Sequence, residues 1–68
     1  MKSISGKKLC IILETKGWIL KRVNGSHYIY VKNDSPYRIS VPVHSNEDLK
    51  IGLLENFMEL ANIKIEEL

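Results

Sequence analysis

Asn24-Gly25 sits between two runs rich in aromatic and β-branched residues, "WILKRV" and "HYIYVK". Both turn residues tolerate positive φ, which is what a two-residue hairpin loop demands. The pair therefore predicts that the chain reverses here and that strand one (residues 18–23) lies antiparallel beside strand two (residues 27–32). In strand one Trp18 and Leu20 alternate with Lys21, but Val23 falls out of phase. A second turn, "NDSPY", leads into "YRISVPV", where Tyr37, Ile39, Val41 and Val43 alternate with Arg38 and Ser40. Pro42 cannot donate to a ladder, so this third strand is expected at an edge.

Helices are expected on either side. Leu9, Ile12 and Leu13 recur at helical spacing, with Ser5 placed to cap and Gly17 placed to stop the helix, which gives helix one over residues 6–16. Leu49, Leu53, Leu54, Phe57, Met58 and Ala61 form one stripe, with Ser45 or Asn46 as the cap, which gives helix two over residues 47–60. "NIKIEEL" is expected to add a short last turn. The order is α-β-β-β-α, and its natural packing is an α+β arrangement: a three-stranded antiparallel sheet with both helices on one face. Residues 1–68 are read as a single domain, since 68 residues support one small core and no large catalytic cleft.

Charge is divided along the chain. Residues 1–24 carry six cations against Glu14, whereas residues 45–68 carry Lys50 and Lys64 against six acids. Such an asymmetry suits a phosphate-binding face, although two solvated faces without a partner would look the same. Cys10, the only cysteine, lies in the apolar "LCIIL" and reads as a buried thiol of a cytoplasmic protein. No long apolar run follows "MKSISGKK", so neither a signal peptide nor a membrane span is expected.

Several chemistries find little support. Ser26 and His27 are neighbours, and neighbouring strand side chains point to opposite faces, which disfavours a nucleophile–base pair. His27, His44 and Cys10 lack the close spacing of zinc ligands, so neither a metal nor another cofactor is expected. No glycine-rich phosphate loop precedes a helix. What remains is a histidine beside a glycine turn with Lys21, Arg22, Lys32 and Arg38 on the strands. A lone proton shuttle goes furthest with RNA, because the 2′-hydroxyl is a nucleophile already placed beside the phosphate. Nearby cations would stabilise the charge that develops there. The plainer reading of His27 is a strand histidine satisfied by hydrogen bonds.

A family resemblance sharpens this reading. "GKKL" opening helix one, "GW" leaving it, "GSH" on the second strand, "VPVH" on the third and "LKIGLL" entering helix two run in order over nearly the whole chain. That ordered set closely resembles the HicA toxins, small mRNA interferases of toxin–antitoxin pairs. The resemblance implies a double-stranded-RNA-binding-domain-like fold and cleavage of mRNA, with His27, the histidine of the GSH element, as the catalytic residue. It also implies a HicB antitoxin that binds the toxin and covers the site, so the chain is expected as a monomer or as a hetero-oligomer with that partner. This chain departs from the family in carrying Tyr28 after GSH, where a second histidine or another polar residue is common. The turn "NDSPYR" lacks the usual basic, glycine-containing character, and "LLENFMEL" lacks the usual basic residues of helix two.

The candidate RNA-binding set is Lys21, Arg22, Gly25, Ser26, Tyr28, Lys32, Arg38 and His44. Gly25 would let a phosphate backbone approach His27. His44 leans towards a structural role at the start of a loop. Trp18 and Leu20 read as core residues. If Ile29 and Val31 face the helices, Tyr28 and Tyr30 line the open face of the sheet, free to stack on bases or meet the antitoxin, and His27 turns to the helix side. Two other functions fit the pattern: an RNA-binding module without activity, and a pure protein-interaction domain.

Overall fold

The computed structural model describes residues 2–68. Helix α1 spans Gly6–Thr15, strands β1, β2 and β3 span Ile19–Asn24, His27–Val31 and Arg38–Pro42, and helix α2 spans Ile51–Ala61. A short 3-10 turn over Ile65–Glu67 follows, as "NIKIEEL" suggested. The sheet order is β1-β2-β3 with both pairings antiparallel, so β3 is an edge strand, in keeping with Pro42.

The helix ends obey their local chemistry. The Ser5 hydroxyl accepts a hydrogen bond from the Lys8 N–H at 3.1 Å, and Gly17 takes φ +91° just beyond the last turn of α1. Both helices cover one face of the sheet. Leu9 and Leu13 of α1, Leu54 and Phe57 of α2, and Tyr30, Ile39 and Val41 of the sheet belong to one buried cluster. Trp18 is buried in the same cluster, as its phase implied, and so is Cys10.

Helix α2 begins four residues later than the apolar stripe suggests. Ser45 and Asn46 do not cap it; Lys50 holds the N-cap position and offers no side-chain cap. The cause is tertiary. The Leu49 N–H donates to the Ile4 carbonyl at 2.8 Å, Asp48 forms a β-bridge with Ser5, and the Ser3 hydroxyl donates to the Leu49 carbonyl. Strapped to the segment before α1, residues 48 and 49 remain extended, and helical φ/ψ starts only after them.

Strand β1 contains an irregularity that accounts for the dephased Val23. Leu20 pairs with Tyr30 but Arg22 pairs with Ile29, which leaves Lys21 as the extra residue of a β-bulge. The bulge absorbs one residue, so Leu20 and Val23 both fall opposite tyrosines of the helix-side face. The helices cover that side unevenly. Ile39 and Val41 on β3 are fully buried, but Leu20 is 39% and Val23 49% exposed, so Leu20 lies at the margin of the core rather than within it.

The helix side of β2 also differs from the expectation drawn from alternation. Tyr30 is buried and Tyr28 packs, half-buried, against the core, so the two tyrosines face the helices and not the open sheet. The Tyr30 hydroxyl donates to Glu14 Oε2 at 2.6 Å, a partner on α1 that makes burial of a phenol tolerable. Ile29 and Val31 take the open face instead. His27 goes with them, which reverses the direction inferred from the pattern.

Candidate nucleic-acid interface

Directly paired strand residues share a face, so the register defines the open side of the sheet. Three rungs cross it. Asn24, His27 and Pro42 form the first, Arg22, Ile29 and Ser40 the second, and Ile19, Val31 and Arg38 the third. Among the described residues, no helix covers this side. His27, Arg22, Ser40 and Arg38 are exposed, and Ile29 and Val31 half-buried.

His27 stands at the start of β2, next to the turn. Gly25 takes φ +62° there, and no heavy atom lies within 4 Å of where its Cβ would be. The turn is therefore both left-handed and open. Ser26 is anchored from the other side: its carbonyl accepts from the Val43 N–H at 2.8 Å, which carries the β2–β3 ladder one step past Pro42. The backbone of Gly6, the first residue of α1, packs so close to the Pro42 carbonyl that a Cβ would collide with it. The imidazole is thus held on a braced strand end beside an uncluttered turn, an arrangement a bulky polyanion can approach.

Among the residues singled out from sequence, the structure brings His27, Arg22 and Arg38 to one surface, with Gly25 at its rim. Lys21 is the exposed bulge residue beside Arg22. The rest are elsewhere. Tyr28 lies on the opposite face, in a depression with Cys10, Ile11 and Leu20. Lys32 follows the far end of β2, with its ammonium 4.0 Å from Asp34. His44 lies beyond β3, where it lines a separate depression with Pro42, Lys50 and Leu53. Ser40 was not singled out, yet it lies opposite Ile29 and diagonal to His27. The alternation of "RISVP" contains that signal, since a residue between Ile39 and Val41 must turn away from the core.

On the helix side the ionisable groups are structural. Burial pushes the Cys10 thiol up; a hydrogen bond with Tyr30 opposes this and the Glu14 carboxylate adds to it. Burial, followed by the bond to Glu14, pushes the Tyr30 phenol far above its ordinary value. Both groups stay protonated at neutral pH and offer no nucleophile. Among the described residues, no three His, Cys, Asp or Glu side chains cluster as metal ligands, and no helix is long and apolar enough to cross a membrane.

A small α-β-β-β-α domain with an open, basic sheet face and a histidine at its end defines the class. The family model described as the HicA toxin of bacterial toxin–antitoxin systems matches residues 6–63. The chain belongs to the HicA toxin family. No curated protein matches it.

Proposed function

We propose that this protein is an endoribonuclease that cleaves mRNA in the cytoplasm, with His27 as its general acid–base residue and no metal required. The observation that carries the reading is the exposed imidazole on the uncovered sheet face, with Arg22 one rung away, in a chain of the HicA family. His27 takes the proton of a ribose 2′-hydroxyl. The O2′–P bond forms, the P–O5′ bond breaks, and the 5′-oxygen leaves with a proton. The products are a 2′,3′-cyclic phosphate and a 5′-hydroxyl end. Positioned proton transfer of this kind contributes about 10²–10⁴-fold to rate.

RNA lies across the open face, its phosphates met by Lys21, Arg22 and Arg38 and its backbone close to Gly25. The partner is a HicB-like antitoxin, which inhibits by covering this same face. The test is expression of wild type and His27→Ala from a tight promoter, with growth followed, and incubation of each purified protein with a long RNA in EDTA. Growth arrest and EDTA-resistant cleavage by wild type alone are the expected results. If both proteins bind RNA equally and neither cuts it, the chain is a non-catalytic RNA-binding module.

A further inference from the structure

The bulge in β1 decides which cation stands next to His27. With Leu20 opposite Tyr30, a regular strand would set Lys21 opposite Ile29 and Arg22 opposite Tyr28, on the helix side. The extra residue shifts the frame, and Arg22 lies opposite Ile29 instead. Because Asn24 faces His27, Arg22 is the diagonal neighbour of His27 across the β1–β2 pair. Diagonal neighbours have Cα atoms about 7–8 Å apart, within reach of a long side chain. Bulges beside active sites commonly re-aim a side chain in this way.

The other cations are placed less well. Arg38 pairs with Val31, four residues along β2 from His27, which at strand rise is about 13 Å further down the face. Lys32 lies beyond Val31 and is drawn to Asp34. Lys21 is the unpaired bulge residue itself. Arg22 is exposed and, among the described residues, has no carboxylate partner within salt-bridge distance. Its guanidinium is therefore available to two phosphate oxygens at once, which a lysine cannot match in geometry.

We infer that Arg22, aimed by the Lys21 bulge onto the face of His27, is a catalytic residue that holds the non-bridging oxygens of the scissile phosphate. This rests on the ribonuclease reading above. When O2′ attacks, the phosphorus becomes five-coordinate and its equatorial oxygens gain negative charge. Two N–H groups of Arg22 stabilise that charge while His27 handles the proton. Lys21 and Arg38 bind neighbouring phosphates and contribute mainly to affinity.

The test separates rate from binding. Single-turnover cleavage of an end-labelled single-stranded RNA at saturating protein is measured for wild type, Arg22→Ala, Arg22→Lys, Lys21→Ala, Arg38→Ala and the charge-conserving swap Lys21→Arg/Arg22→Lys. RNA affinity and its salt dependence are measured for the same changes in a His27→Ala background, where nothing is cut. Circular dichroism melts show that each variant is folded. Arg22→Ala is expected to lower the maximal rate about 10²–10³-fold, the usual effect of removing one donor to a developing oxyanion. Arg22→Lys recovers part of the rate, and the swap remains slow despite its unchanged charge. Lys21→Ala and Arg38→Ala weaken binding and reduce the salt slope by about one each, and they lower the maximal rate far less than Arg22→Ala does.

The inference is overturned if wild type cleaves through His27 while Arg22→Ala loses only affinity, or if the swap retains the full rate; the ribonuclease reading survives both results. If wild type does not cleave at all, the two fall together.

Discussion

Successive residues of β2 enter two different environments. Tyr28 and Tyr30 turn towards the helices, where Tyr30 is sealed in the core with its hydroxyl on Glu14. His27, Ile29 and Val31 turn the other way, onto a face that no helix among the described residues covers, between Arg22 and Ser40 on one rung and Ile19 and Arg38 on the next. One side of the strand is committed to stability and the other is free for chemistry. Residue type does not tell which is which: the two tyrosines look like a nucleobase platform, yet Tyr30 is in the core and Tyr28 packs half-buried against it. A buried phenol needs only one fixed partner, whereas a proton shuttle needs access to substrate.

The most severe way to break this division is Tyr30→Ala. Truncating a buried aromatic costs about 3–5 kcal/mol, and a core this small supplies net stability of only about 3–5 kcal/mol. The variant should be largely unfolded by circular dichroism at 37 °C, and a cooperative melt at the wild-type temperature would show that the helix-side face is not the structural one. His27→Ala should do the opposite: cleavage falls by about 10²–10⁴-fold, while urea denaturation places its stability within about 0.5 kcal/mol of wild type. A loss of stability as large as that of Tyr30→Ala would mean that the histidine is a structural residue.

Gly6→Ala probes the brace between the faces. Its Cβ would strike the Pro42 carbonyl, on the residue paired with His27, so α1 must shift from the sheet end. Overpacking of this kind costs about 1–3 kcal/mol, and for a domain this size the melting temperature should drop by roughly 4–8 °C for each kcal/mol. An unchanged melting temperature would show that α1 does not hold that end.

The smallest effect concerns the hydroxyl of Tyr30. Its folded-state pKa is raised, first by burial and then by Glu14. A group raised on folding contributes stability that is complete below its unfolded pKa, about 10 for tyrosine, and is lost as pH rises above it. Denaturation midpoints of wild type should therefore fall steadily above about pH 10, and Tyr30→Phe should fall less steeply. At pH 7 the same variant should lose about 1 kcal/mol, the net value of one hydrogen bond. Parallel pH profiles for the two proteins would refute the buried-phenol account.

Much of this architecture is legible in single residues. Ser5 and Gly17 bound α1 by local chemistry, Gly25 reverses the hairpin through its positive φ, although the two-residue loop is Gly25-Ser26 and Asn24 stays in β1 opposite His27, and Pro42 marks an edge. Each depends on φ/ψ preferences or on a missing N–H, which the chain carries wherever it goes. The start of α2 is less legible, because its stripe continues through Leu49 while the backbone there is claimed by Ile4. Of the candidate site, His27 stands out from its setting beside Gly25, but its direction does not.

The sequence by itself determined the element order, the hairpin, the edge strand and the identity of the residue that could carry a proton. Those follow from local preference and from periodicities of two and 3.6. Only the tertiary structure decided which face of β2 is buried. Both faces carry apolar bulk, and the choice depends on partners far along the chain: Glu14 for the phenol, Leu20 and Val23 brought into phase by the bulge at Lys21, and two helices that cover one side. A one-residue bulge inverts everything downstream of it in a strand, and its position is set by which register buries the most apolar surface while leaving the fewest polar groups unpaired.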